Sequence, residues 1–119
     1  MPILYFCSNG ERVSDAVCKR RYAEARANKY NSSQVWRCAG CGAPATCSAH
    51  IIAQARCKVI HKAELIWNPS NFFPACYSCN AAIENPKGEA WKTLKNREYC
   101  LEFIEKHDAE LFSKFVLNF

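Results

Sequence analysis

Two cysteine pairs of identical spacing, Cys38-Ala39-Gly40-Cys41 and Cys76-Tyr77-Ser78-Cys79, constrain this chain more than any other feature. A Cys-x-x-Cys turn brings two thiolates onto one ion. Two such turns complete a closed tetrahedral shell that leaves no position for a substrate. The expectation is a structural zinc held by Cys38, Cys41, Cys76 and Cys79. Iron bound by four sulfurs shares the spacing. Four unrelated buried thiols have no reason to fall in spaced pairs.

The cysteine count also argues for thiol rather than disulfide chemistry. There are 9 cysteines, an odd number that no complete set of disulfides accommodates. The opening "MPILYFC" is apolar but brief and gives way at once to polar "SNGER", so it reads as a short strand and not as a secretion signal. A cytoplasmic protein with reduced thiols follows. No apolar run approaches the eighteen or so residues of a membrane span, so no membrane partner is expected. A length of 119 residues suits a single domain over the whole chain, as monomer or homodimer. A domain of that size gains noticeably from a metal cross-link.

Local patterns predict an α+β protein. "SDAVCKRRYAEARANKY" reads as a helix capped by Ser14, with Ala16, Ala23, Ala27 and Tyr30 on its packing face and Lys19 and Arg26 along the edge. "CAGCGAP" is a glycine-containing knuckle, and "TCSAHII" after it reads as a strand ending near His50. Residues 51–70 form a connection. "NFFPACYSC" is a strand running into the second knuckle, and "NAAIEN" gives one or two helical turns stopped at Pro86. In the last third, Trp91, Leu94, Tyr99, Cys100, Phe103, Ile104, Leu111, Phe112, Phe115 and Val116 recur at helical intervals, with a break at Asp108. The formal charge of +5 tilts the choice of partner toward a polyanion. Lys19, Arg20, Arg21, Arg26, Lys29, Arg56, Lys58 and Lys62 are the candidate phosphate contacts. The alternative for the helix is a solvated basic flank.

From Cys38 to about residue 85, the order "CAGC", "SAHII", "NPSNFFPACYSCN" resembles the His-Asn-His (HNH) endonuclease family, in its cysteine-bracketed subset of phage-encoded and restriction-type nucleases. The resemblance implies a ββα-metal core over residues 38–85, flanked by N-terminal and C-terminal helices. It implies a metal-dependent endonuclease that hydrolyses DNA phosphodiesters. His50 would be the general base that activates water, Asn71 would brace the loop and orient the imidazole, and Asn80 would help bind a catalytic magnesium or manganese ion. The chemistry is coherent on its own terms: phosphodiester hydrolysis needs a base near neutral pH, a cation beside the phosphate, and rigid placement of both.

The resemblance has one departure. Many family members place an acidic residue immediately before the histidine, and here that residue is Ala49. Glu84, four residues after Asn80, would share its helix face and supply the missing carboxylate; a plain surface carboxylate is the alternative. The same histidine also admits a different use. Cys47-x-x-His50 and Cys57-x-x-x-His61 would form a second zinc site in a non-catalytic zinc-dependent DNA-binding module. On a strand, however, Cys47 and His50 point to opposite faces.

Overall fold

The computed structural model describes residues 3–30, 36–85 and 88–116. The protein is α+β, with two small two-stranded antiparallel sheets and α-helices. Among the described residues no helix is long and apolar enough to cross a membrane. By their contacts the residues group into two compact units that alternate along the sequence.

The first unit comprises residues 1–33 and 52–71. Strands β1 (Leu4–Phe6) and β2 (Arg12–Ser14) form a hairpin with Tyr5 opposite Val13. The turn between them uses Gly10 at φ 91°, a left-handed conformation that glycine adopts without a Cβ penalty. Helix α1 (Asp15–Lys29) follows directly. The Ser14 hydroxyl accepts from the Val17 amide at 3.3 Å, and Asp15 in the first turn complements the helix dipole. The expected packing face is wrong by about half a turn. Ala16, Ala23 and Ala27 are exposed, whereas Cys18 is buried and Arg21, Tyr22, Ala25 and Lys29 are half-buried on its side of the helix. Alanine spacing misled because the inward face carries a cysteine and the stems of charged side chains, which cover apolar surface while their heads reach polar partners.

The second half of this unit is more ordered than the plain connection expected of residues 51–70. Helix α2 (Gln54–Val59) and two 3₁₀ turns (Ala63–Ile66 and Pro69–Asn71) occupy it. These elements are too short to show a period, and of α2 only Cys57 is buried. The C-terminus of α2 closes with paired bonds, His61 amide to Lys58 carbonyl at 3.3 Å and Lys62 amide to Cys57 carbonyl at 3.0 Å. That is the Schellman arrangement, whose left-handed position usually holds glycine; here it holds His61 at φ 57°. Ile52, Cys57, Ala63, Leu65, Ile66 and Asn71 are buried to within a few per cent.

The second unit comprises residues 34–51 and 72–119. Strands β3 (Cys47–His50) and β4 (Phe72–Ala75) pair antiparallel, with Cys47 opposite Ala75 and His50 opposite Phe72. Helix α3 (Tyr77–Ile83) follows at once, and Glu84 is its C-cap; the expected stop at Pro86 lies outside the described residues. Helices α4 (Glu89–Lys92), α5 (Arg97–His107) and α6 (Ala109–Val116) complete it. The break at Asp108 is a shared cap: its amide donates to Ile104 at 2.7 Å, and its carboxylate accepts from the Leu111 amide at 3.1 Å. Trp91, Ile83, Cys100 and Ile104 form the centre of the helical core. The Trp91 indole donates to the Ile83 carbonyl at 3.3 Å and its ring lies 5.1 Å from Phe115. Tyr99 departs from the expected apolar stripe and is half exposed.

Candidate metal centre

The first knuckle is built by its backbone. The Cys38 amide donates to Ala43 at 2.7 Å and the Gly42 amide returns to Cys38 at 2.8 Å, closing a tight turn. Gly42 has φ 85°, so the reversal needs a residue that tolerates the left-handed region. Gly40 is present for space instead. A Cβ there would meet Cys79 Sγ and Leu94 Cδ2, each at 2.9 Å. Its amide points at Cys38 Sγ at 3.3 Å, and its carbonyl accepts from Lys95 at 2.9 Å.

The second knuckle is a helix start. Cys76 is the N-cap of α3, and its sulfur accepts from the Cys79 amide at 3.5 Å. Sulfur charge is favoured at that end of a helix. The two knuckles meet: Cys41 Sγ and Cys76 Sγ are 3.6 Å apart. All four ligand sulfurs lie within 4.8 Å of one another. A tetrahedral zinc with sulfurs at about 2.3 Å needs sulfur–sulfur edges of roughly 3.8 Å, so the cluster fits a structural metal such as zinc with a small contraction. All four cysteines are free thiols.

The electrostatics of the cluster agree with that use. Burial alone would raise the Cys38 thiol, yet backbone hydrogen bonds from Cys76, Gly40 and Cys41 outweigh it and hold the group at about 7. Cys79 is pushed well up, by burial first and then by the neighbouring thiols. One sulfur ionises readily beside another that resists, and a dication at the centre would stabilise all four as thiolates.

The other predicted site residues are distributed as follows. In the second unit His50 ends β3, half-buried, with its ring 5.8 Å from that of Phe72. Ala49 is fully buried; by strand alternation it faces away from the side that carries His50. An acid at position 49 would therefore be buried instead of standing beside the imidazole. Cys47 shares the buried side, and its thiol points at the Ala75 carbonyl at 3.3 Å. Asn80 is half-buried on α3, and Glu84 is exposed at its end.

In the first unit Asn71 is fully buried and fully used. Its Oδ1 accepts from the Ile52 amide at 2.8 Å, and its Nδ2 donates to the carbonyls of Ile52 at 3.0 Å and Leu65 at 2.9 Å. It thus fixes the chain two residues beyond His50. Cys57 donates to the Ile52 carbonyl at 3.4 Å, and His61 is exposed, edge-on to Phe6 with ring centres 5.6 Å apart. Several predicted phosphate contacts have acidic partners inside this unit. Arg21 grips Glu11 with two bonds of 2.9 Å, and Lys19 and Lys58 share Asp15 at 3.0 and 2.8 Å. Lys29 donates to the Pro69 carbonyl at 2.6 Å, and burial lowers its pKa. Arg26 lies over the Tyr22 ring. Arg20 is exposed, and Arg56 and Lys62 are half-buried.

Among the described residues, the four cysteines are the one group of three or more His, Cys, Asp or Glu side chains placed to share an ion. Fold and site together define a small α+β protein with a four-cysteine site suited to a structural metal. No family model, curated protein or solved structure matches the chain.

Proposed function

We propose that this protein is a metal-dependent endonuclease of the His-Asn-His type, with a ββα-metal core that hydrolyses DNA phosphodiester bonds. The observation that carries the reading is the antiparallel pairing of β3, which ends in His50, with β4, which leads through Cys76 directly into α3, a helix whose first turn belongs to the four-cysteine cluster. His50 is the general base for water, on the half-exposed side of its strand. Asn71 anchors the chain just past it. Asn80 in the middle of α3 and Glu84 at its C-cap, four residues apart, offer oxygen ligands to a magnesium or manganese ion, whose charge would offset that developing on the phosphate. A zinc ion held by Cys38, Cys41, Cys76 and Cys79 would contribute rigidity.

One observation favours a second reading, a non-catalytic zinc-dependent DNA-binding module. No carboxylate precedes His50, and Glu84 alone is a sparse shell for a catalytic ion. Supercoiled-plasmid nicking with magnesium, manganese and EDTA separates the two. His50→Ala is expected to lose at least about a hundredfold in rate, the usual size of a general-base contribution, with zinc content and Tm unchanged. Normal cutting by that variant, or no cutting by the parent protein with either metal, decides for the binding module. Asn71→Ala is uninformative about chemistry, since it strips the partners from buried polar groups and destabilises the fold first.

A further inference from the structure

We infer that the first unit binds single-stranded DNA and that Phe6, Arg12 and His61 form its platform for an unstacked base. The inference takes its DNA partner from the proposed function but not its catalysis.

Charge is the first ground. Residues 1–33 and 52–71 hold nine Lys and Arg against four Asp and Glu, while the rest of the chain holds seven of each. The formal excess of +5 is therefore confined to the first unit. Three of its four acids are already satisfied within it: Glu11 by Arg21, Asp15 by Lys19 and Lys58, and Glu64 by the amide and hydroxyl of Ser8 at 2.9 Å. Arg12 and Arg20 have no acidic partner among the described residues. A surface of this kind attracts a phosphate backbone.

The second ground is the aromatic surface set in that field. Phe6 is 39% exposed, and beside it an open recess of about 310 Å³ is lined by Phe6, Cys7, Ser8, Gly10 and His61. The Arg12 guanidinium lies over the Phe6 ring at 5.4 Å, and the His61 ring meets Phe6 edge-on. Aromatic rings, imidazoles and guanidinium planes are the groups on which unpaired bases stack. A duplex hides its base faces and gains nothing from such a platform.

The third ground is the backbone of His61. The left-handed position of a Schellman motif is glycine's by default, and a residue with a Cβ is strained there. Strained backbone positions cluster at ligand and active sites, and this one sets the His61 imidazole against Phe6.

The test is fluorescence anisotropy of the full-length zinc-loaded protein, without magnesium or manganese so that nothing is cut. The labelled probes are a single-stranded DNA oligonucleotide, its duplex, and an abasic oligonucleotide of equal charge. The intact single strand is expected to bind about tenfold tighter than the abasic one. Phe6→Ala is expected to erase that margin, and Phe6→Leu, which preserves apolar packing, to do the same. Arg20→Gln lowers binding of all three probes alike. His61→Gly raises Tm while weakening only the intact single strand. Equal binding of intact and abasic strands, tighter binding of duplex, or a Phe6→Leu protein that binds like the parent would each overturn the inference. A nuclease assay that fails while the single-strand preference stands removes the catalytic reading alone.

Discussion

Replacing Gly40 by alanine tests the metal centre with a single methyl group. Its φ lies outside the left-handed region, so the backbone accepts any residue and only volume is at issue. The new Cβ would stand 2.9 Å from Cys79 Sγ, 2.9 Å from Leu94 Cδ2 and 3.1 Å from Cys79 Cβ, against the roughly 3.5–4.0 Å of an unstrained carbon contact. The Leu94 methyl has some freedom to yield. Cys79 has little, because its sulfur is tied to the cluster and its amide to Cys76. Overpacking of this kind costs about 1–3 kcal/mol, and the reduced freedom of the unfolded chain returns about 0.4–1 kcal/mol. The net loss of about 1–2 kcal/mol corresponds to roughly 5–30-fold in metal affinity if it falls wholly on the bound state. Competition with a chromogenic chelator reads that shift directly. Gly42→Ala is the contrasting variant: its surroundings are open apart from Lys95 Nζ at 3.6 Å, but its φ is 85°. Gly42→Asn should be milder than Gly42→Ala, since asparagine tolerates the left-handed region. A Gly40→Ala protein that holds zinc as tightly as the parent would refute the packing argument.

Metal analysis should give one zinc per chain, and Cys79→Ser or prolonged EDTA should unfold the second unit, followed by loss of near-UV Trp91 signal; a value of two zincs would restore the site built on Cys47 and Cys57. Ala49→Asp should destabilise the protein by about 3–5 kcal/mol as an uncompensated buried charge, where a family-style ligand would lower the metal requirement for cutting; a thermal melt and a magnesium titration tell these apart. Arg21 holds Glu11 and Lys58 holds Asp15 below their ordinary carboxylate values. Their contribution is complete above the unfolded values of about 4.3 and 3.9 and is lost as pH falls through the lower folded ones. Acid titration of stability should therefore show a loss beginning near pH 4 that Arg21→Gln flattens and salt reduces.

What could be read from the sequence followed how local each cause was. The knuckles, the Ser14 cap, both strands of the β3–β4 ribbon and the break at Asp108 each depend on a few adjacent residues, and each was legible. The inward face of α1 was not, because Cys18, Arg21 and Lys29 pack there through partners distant in sequence, such as Trp67 beneath Arg21 and Pro69 at Lys29. Nor did α2 announce itself, being six residues long with histidine where glycine would have marked its end. The burial of Ala49 was not read from the sequence, because the resemblance set that position beside a catalytic ion, whereas strand alternation turns it away from His50 into the core. The recess at Phe6 left one trace, the apolar "ILYFC" ahead of "SNGER", which reads as a short strand and gives no hint of His61.

The alternation of the two units along the chain has a consequence in time. The ligand pairs of the metal site are thirty-five positions apart, measured from Cys41 to Cys76. At about 5–20 residues per second, a ribosome delivers the second pair roughly 2–7 s after the first. Every residue of the first unit has been synthesised by Asn71, before Cys76 exists. All residues of one unit thus exist while the other waits with two bare thiols, Cys38 and Cys41, open to oxidation or to a misplaced ion. Zinc supplied during synthesis would therefore compete with oxidation of Cys38 and Cys41 for the yield of correctly assembled chains.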